Sequence, residues 1–261
     1  MDNFLITALL VGGALSFITG PIGCFVIWNR LSYLGDAIAH ASFLGIILSL
    51  LMNINVFWGN FVVTILVLLI FINCSSNKYS IETILAVFSY IALSGALLIY
   101  SLTTTISINI ESILFGDILA SSMEDFIIIS SFTVFALLWL KKNWDSLLLM
   151  TINYEIAQSN NIDCHKLKLK LLALIASLVI LSIKIVGIIL ISSLIVIPAS
   201  SSRILAKSPE TMAIGASLFS LISVILGLFL SNIIDTPSGP SIIIVSGAIF
   251  LVAHLKLRFS R

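Results

Sequence analysis

Charge is scarce in this 261-residue sequence. Asp, Glu, Lys and Arg make up 10% of it, against 59% hydrophobic residues and a mean hydropathy of +1.20. Soluble domains carry about 25% charged residues. A soluble protein this apolar could not cover its own surface, so composition implies a polytopic membrane protein. Cysteine is equally sparse. Cys24, Cys74 and Cys164 stand alone with no CxxC pair, which argues against a disulfide framework or a zinc knuckle. No GxxxxGK[ST] run occurs, so any ATP-driven step has to come from a partner. The stretch MDNFLITALL carries an acid and no basic region, and no cleaved signal peptide is expected. No Pro- or Ser-rich linker and no internal repeat divides the chain, and residues 1–261 read as a single transmembrane domain.

What is present is a series of long apolar segments separated by short polar ones. These predict an all-α protein with about nine transmembrane helices, near residues 4–28, 35–52, 55–73, 82–101, 124–140, 168–183, 186–205, 212–231 and 239–255. Eight crossings result if one segment re-enters instead. Residues 103–120 are too polar and too short to span and suit a re-entrant or interfacial helix. With the N-terminus outside, Arg30, Lys78, Lys141, Lys142, Lys166, Lys168, Lys170, Arg203, Lys207, Lys256, Arg258 and Arg261 all fall inside, and only Lys184 falls outside. That bias predicts an N-out, C-in topology. Asp2, Glu111, Asp117, Glu124, Asp125 and Asp235 then lie on the outer side. Residues 141–170 form the longest inside loop, with a short helix expected over 155–162 as a docking element or as plain connector.

Within the second apolar segment, 33-YLGDAIAHASFLGI-46 places Asp36 and His40 one helical turn apart, on one face. Ionisable side chains inside a membrane usually face a cavity or a partner. A carboxylate oxygen and an imidazole nitrogen suit a divalent ion such as Zn²⁺, Mn²⁺ or Fe²⁺. The surrounding Gly35, Ala37, Ala39, Ala41, Ser42 and Gly45 permit close helix packing or a lined pore. The alternative is a structural Asp–His pair favoured by the helix N-terminus. No second HxxxD or HxxxH pair completes a four-ligand shell. A second copy of the chain, other helices or water could supply the rest.

Other polar positions carry less. His165 lies beside Cys164 in a basic loop, His254 near the end of the last span, and Lys184 at an outer helix end where it can snorkel. Glu82 suits a helix start. Pro198 interrupts the span 190–207 and frees the carbonyl of Leu194, which makes it a candidate hinge or a packing feature. The run 235-DTPSGPS-241 reads as a turn opening the last span.

Taken in order, these motifs resemble one family. GPIGCFVIWNRLSYLGDAIAHASFLG (20–45), ESILFGDILA (111–120), MTINYEIAQSNNID (150–163), KIVGIILISSLIVIPASSSRILAKSPETMA (184–213) and DTPSGPS look like the permease subunits of metal-ion ABC importers. The bacterial zinc-uptake permeases are the nearest resemblance, over roughly residues 10–250. The resemblance implies the fold of the vitamin B12 and siderophore importer permeases in the bacterial inner membrane. It further implies a homodimer, ABC ATPase subunits on the cytoplasmic side and an extracytoplasmic metal-binding protein. Asp36 and His40 match the GDxxxHxxxxG motif that contributes to the metal path, and the metal is transported substrate rather than a resident cofactor. Glu155, Ala157 and Asn161 fall in the ATPase-coupling segment; the family usually has Gly where this chain has Asn161. Neither enzyme activity in this chain nor a nucleic-acid partner is implied. Two other classes stay open on the residues alone: a stand-alone proton-coupled metal transporter, and a membrane scaffold with no ion path.

Overall fold

The computed structural model describes residues 3–74, 79–102 and 110–259. Asp2, Lys78, Arg261 and residues 103–109 lie outside the described residues, as does the side chain of Cys74. The described chain is all helical, with no strand among the described residues. The order is α1 (Asn3–Trp28), α2 (Leu34–Leu51), α3 (Val56–Cys74), α4 (Ile81–Leu102), α5 (Ile110–Phe115), α6 (Met123–Ile152), α7 (Tyr154–Ser159), α8 (Cys164–Leu205), α9 (Pro209–Ile234) and α10 (Ser238–Phe259). A single 3₁₀ turn, Ile118–Ala120, precedes α6. Seven of these helices (α1, α2, α4, α6, α8, α9 and α10) are long and apolar enough to cross a membrane. α3 adds a further apolar helix of 19 residues.

α8 holds the centre and packs on α1, α2, α9 and α10. Its 42 residues would reach about 63 Å as one rod, twice the roughly 30 Å of hydrocarbon. It is not one rod: Gly187 has φ 76 and ψ 170, a non-helical conformation that separates an arm up to Val186 from an arm starting at Ile188. The sequence places a boundary between residues 183 and 186; the break falls at Gly187, just inside the second expected span. A second positive-φ glycine, Gly116, meets it at the end of α5; a Cβ on either would run into the backbone of the other. The short helix α5 is therefore seated on the break, and Gly239 at the start of α10 abuts the carbonyl of Phe115.

Residues 141–152 correct the expected inside loop. They continue α6 rather than leaving it. Lys141 and Lys142 mark a polar face, but Leu140, Leu147 and Met150 remain buried at helical spacing. Trp144 shares edge-to-face contacts with Phe25 and Trp28, at centroid distances of 5.1 and 6.5 Å, and its Nε1–H donates to Glu210 at 3.3 Å. These contacts hold the added turns against α1 and α9. Only Asn153 and residues 160–163 of the expected loop lie outside a helix.

Four helix ends share one pattern, whereas α6 and α8 end on extended residues. Among the described residues, Arg30, Asn53, Asn161 and Asp235 are the non-glycine residues with positive φ. Each lies just beyond a helix, and the next amide donates five residues back: Leu31 to Val26 (2.8 Å), Ile54 to Ser49 (2.9 Å), Ile162 to Ala157 (3.1 Å) and Thr236 to Ser231 (3.2 Å). That bond closes the helix through a left-handed residue and satisfies an otherwise orphaned carbonyl. Close helix contact comes from small residues. Gly23 of α1 abuts the carbonyl of Ile195, and a Cβ at Gly45 of α2 would stand 2.8 Å from Cα of Asn60 on α3.

Candidate functional site

α2 begins after Tyr33, and Asp36 falls in its first turn, where the helix dipole favours a carboxylate. Gly35 brings this turn against the second arm of α8: a Cβ there would lie 3.3 Å from Cβ of Ser192. Beside that contact a cavity of about 310 Å³ opens, lined by Asp36, Ser32, Tyr33, Ser192, Ser193 and Val196. Asp36 thus borders an open space, as intramembrane acids are expected to do.

One turn along, His40 is half-buried, and its Nδ1 shares a 2.7 Å hydrogen bond with Ser89 Oγ on α4. Ser89 is buried in a stripe with Leu85, Ala92 and Ala96. A cation held at Nε2 requires the proton on Nδ1, and Ser89 is placed to accept that N–H. Ser89, Ser192 and Ser193 were not singled out by sequence reasoning. The signal for Ser89 was present: it is the polar member of the small-residue stripe on α4, at spacings of three and four.

The chain's own donor set stops at two. Among the described residues, no group of three or more His, Cys, Asp or Glu side chains converges to hold a metal. Cys164 is buried while His165 is exposed in the first turn of α8, so the adjacent pair does not share a face. His254 stacks on Phe250, one turn back, at 6.1 Å. Lys184 does not simply snorkel: its Nζ lies 3.5 Å from Oδ1 of Asp125. That pair borders a cavity of about 650 Å³ that Asp117 also lines, at the end of the bundle where α6 begins. Asp117 is committed to its own turn, accepting the amides of Leu119 and Ala120. Glu82 lies in the first turn of α4 as expected.

At the opposite end, the coupling candidates fall on α7 and its caps. Asn153 Oδ1 accepts the Ile156 amide at 3.0 Å and starts the helix; Asn161, with φ 58, ends it. Glu155 is exposed, whereas Ala157 is fully buried and anchors α7 to the bundle. Asn161 therefore does hold the left-handed position that glycine would occupy. The next cap, Asp163, accepts the Lys166 amide at 3.0 Å and pairs with its Nζ at 2.8 Å. The Lys166 hydrogen bonds hold its carboxyl below the usual aspartate range. Pro198 lies buried in the second arm of α8, where Gly187 is the residue that departs from helical dihedrals.

An all-helical bundle of membrane-length segments, with a carboxylate bordering a cavity between two of its helices and an imidazole one turn further along the same helix, is a polytopic membrane transport protein. The chain belongs to the ABC 3 transport family, whose profile matches residues 1–256. It is similar to the high-affinity zinc uptake system membrane protein ZnuB of Haemophilus influenzae, with 35% identity over 98% of both chains. Likeness to the ZnuB of Buchnera aphidicola subsp. Schizaphis graminum is comparable, at 36% over 98% of this chain and 99% of that one. A manganese transport system membrane protein, MntC of Halalkalibacterium halodurans, is 29% identical over 97% of this chain and 86% of its own. Among solved structures, a chain of PsaBC from Streptococcus pneumoniae in complex with Fab superposes with a TM-score of 0.84 and 26% identity, covering 97% of this chain and 91% of that one. An inward-facing metal-chelate type ABC transporter shares the fold at a TM-score of 0.74, covering 97% of this chain and 86% of that one. Members of this family are permease subunits, transport components rather than enzymes.

Proposed function

We propose that this chain is the permease subunit of an ATP-driven importer of zinc. The observation that carries the reading is full-length similarity to zinc-uptake permeases in a chain whose Asp36 borders a serine-lined cavity. A borderline ion accepts both carboxylate oxygen and imidazole nitrogen. Manganese is the second reading, because manganese permeases match almost the whole chain at lower identity. Iron fits the same donors on chemistry alone.

In this reading two copies meet about a two-fold axis and each contributes Asp36 and His40, which turns an incomplete pair into a four-donor set. An incomplete shell in one copy also favours release, which transport requires. ABC ATPase subunits bind the end carrying α7, with Glu155 as a contact, Ala157 as the anchor beneath it and Asn161 as the turn that fixes its exit. A metal-binding protein docks at the end where α6 begins. Counting α3 and the two arms of α8 separately gives nine crossings, with N-out and C-in supported by the placement of basic residues. The bacterial inner membrane is the expected location. Flexing at Pro198 assists the change in which end of the path is open.

The test is zinc-65 uptake by the permease reconstituted with its ATPase and binding protein. Uptake should need ATP, and Asp36→Ala or His40→Ala should lower it at least tenfold in protein that inserts normally. Zinc flux driven by a proton gradient without the ATPase would refute the importer reading. Uptake of manganese in preference to zinc would replace the substrate.

A further inference from the structure

Arg30, Arg203 and Lys207 converge on a cavity of about 490 Å³ at the end of the bundle where α6 finishes. They come from three places: the turn after α1, the last turn of α8 and the α8–α9 connection. All three are exposed. None forms a salt bridge among the described residues; the ion pairs found there join Lys166 to Asp163 and Lys184 to Asp125. No carboxylate lines the cavity. The rest of the wall is mainly apolar, with Trp28 and Met212 prominent, and Ser208, the N-cap of α9, adds the positive end of a helix dipole.

Depth identifies the occupant. Arg30 follows the apolar run of α1 by two residues, and Arg203 and Lys207 bracket the end of α8. The charges therefore stand where an apolar span gives way to water, the level of lipid headgroups. A basic pocket between helix ends, with an apolar floor, matches a phosphate attached to a glycerol and acyl chains. We propose that this cavity binds the phosphate of an anionic phospholipid of the surrounding bilayer. Arg30 and Arg203 hold the phosphate oxygens by paired N–H donors, and Trp28 and Met212 cover the glycerol end.

The experiment is native mass spectrometry of the full-length permease released from nanodiscs. One set contains phosphatidylglycerol and another phosphatidylcholine. The wild type should retain phosphatidylglycerol in preference, and a variant combining Arg30→Gln, Arg203→Gln and Lys207→Gln should lose that retention at least tenfold. A control combining Lys166→Gln, Lys168→Gln and Lys170→Gln, outside the cavity lining, should retain it. Folding is checked by elution volume and Tm. If the cavity variant does not fold, Lys207→Gln alone, in the exposed connection, should lower retention about threefold. Unchanged retention in the cavity variant, or equal retention of phosphatidylcholine, overturns the proposal. So does displacement of the lipid by millimolar inorganic phosphate, which would make this a free-anion site. A cavity variant that keeps its lipid but no longer co-purifies with an ATPase subunit would reassign the surface to protein docking.

Discussion

His40 has two ring nitrogens, and the hydrogen bond to Ser89 occupies one of them. In the proposed importer, Ser89 would be a positioning residue that fixes the ring and leaves Nε2 for the transported cation. Loss of such an outer partner typically costs about 10–100-fold in metal affinity. Ser89→Ala should therefore raise the KM for zinc uptake by about tenfold with little change in kcat, and Ser89→Thr should restore it. A purely structural serine would lower the amount of folded protein instead. Asn161 yields a different expectation. It holds φ 58, where a β-branched side chain costs roughly 1–2 kcal/mol and glycine nothing. Asn161→Gly should leave Tm unchanged or slightly higher, and Asn161→Val should lower it. That Asp36 and His40 share one face of α2 and that Asn161 ends a helix was legible because placement of this kind depends on local spacing. Ser89 was not, because its role depends on which helix packs beside α2.

Gly187 decides the most at the level of elements. Its dihedrals lie in a region open essentially to glycine alone, and imposing a side chain there costs on the order of 1–3 kcal/mol. Steric conflict adds to that, because a Cβ would meet Gly116 and the backbone of Phe115. Gly187→Ala should lower Tm by several degrees or abolish membrane insertion, while Gly247→Ala, with nothing near its Cβ, should be tolerated. Apolar periodicity predicted the break within α8 to within a few residues. It misplaced the end of α6, because two adjacent lysines look like a membrane boundary. A helix can carry lysines on one face and continue packing on the other, and here Trp144, wedged against Phe25 and Trp28, holds it.

For the whole molecule, the membrane topology is the open expectation. Single cysteines introduced at Lys142 and Lys184 in a chain lacking its own cysteines should react with an impermeant maleimide from opposite sides of the membrane. With N-out and C-in, Lys142→Cys is labelled in inside-out vesicles and Lys184→Cys in right-side-out cells; the reverse pattern would invert the topology. Coupling belongs to the same scale. Glu155 is exposed on α7 while Ala157 is buried beneath it. Glu155→Arg should uncouple zinc uptake from ATP hydrolysis at unchanged Tm, whereas Ala157→Leu should lower Tm by overpacking the anchor.

The sequence by itself determined that the chain is a membrane-embedded helical bundle, roughly where its helices lie, and that Asp36 and His40 share a face. Those properties follow from composition, apolar run length and the 3.6-residue period, all local quantities. Only the tertiary structure decided that Ser89 braces His40, that Asp36 opens on a serine-lined cavity, that Lys184 pairs with Asp125 and that three distant cations surround one pocket. Each of these joins residues from different helices, and which helices become neighbours is set by the close approach of small residues such as Gly23 and Gly45 rather than by any local pattern.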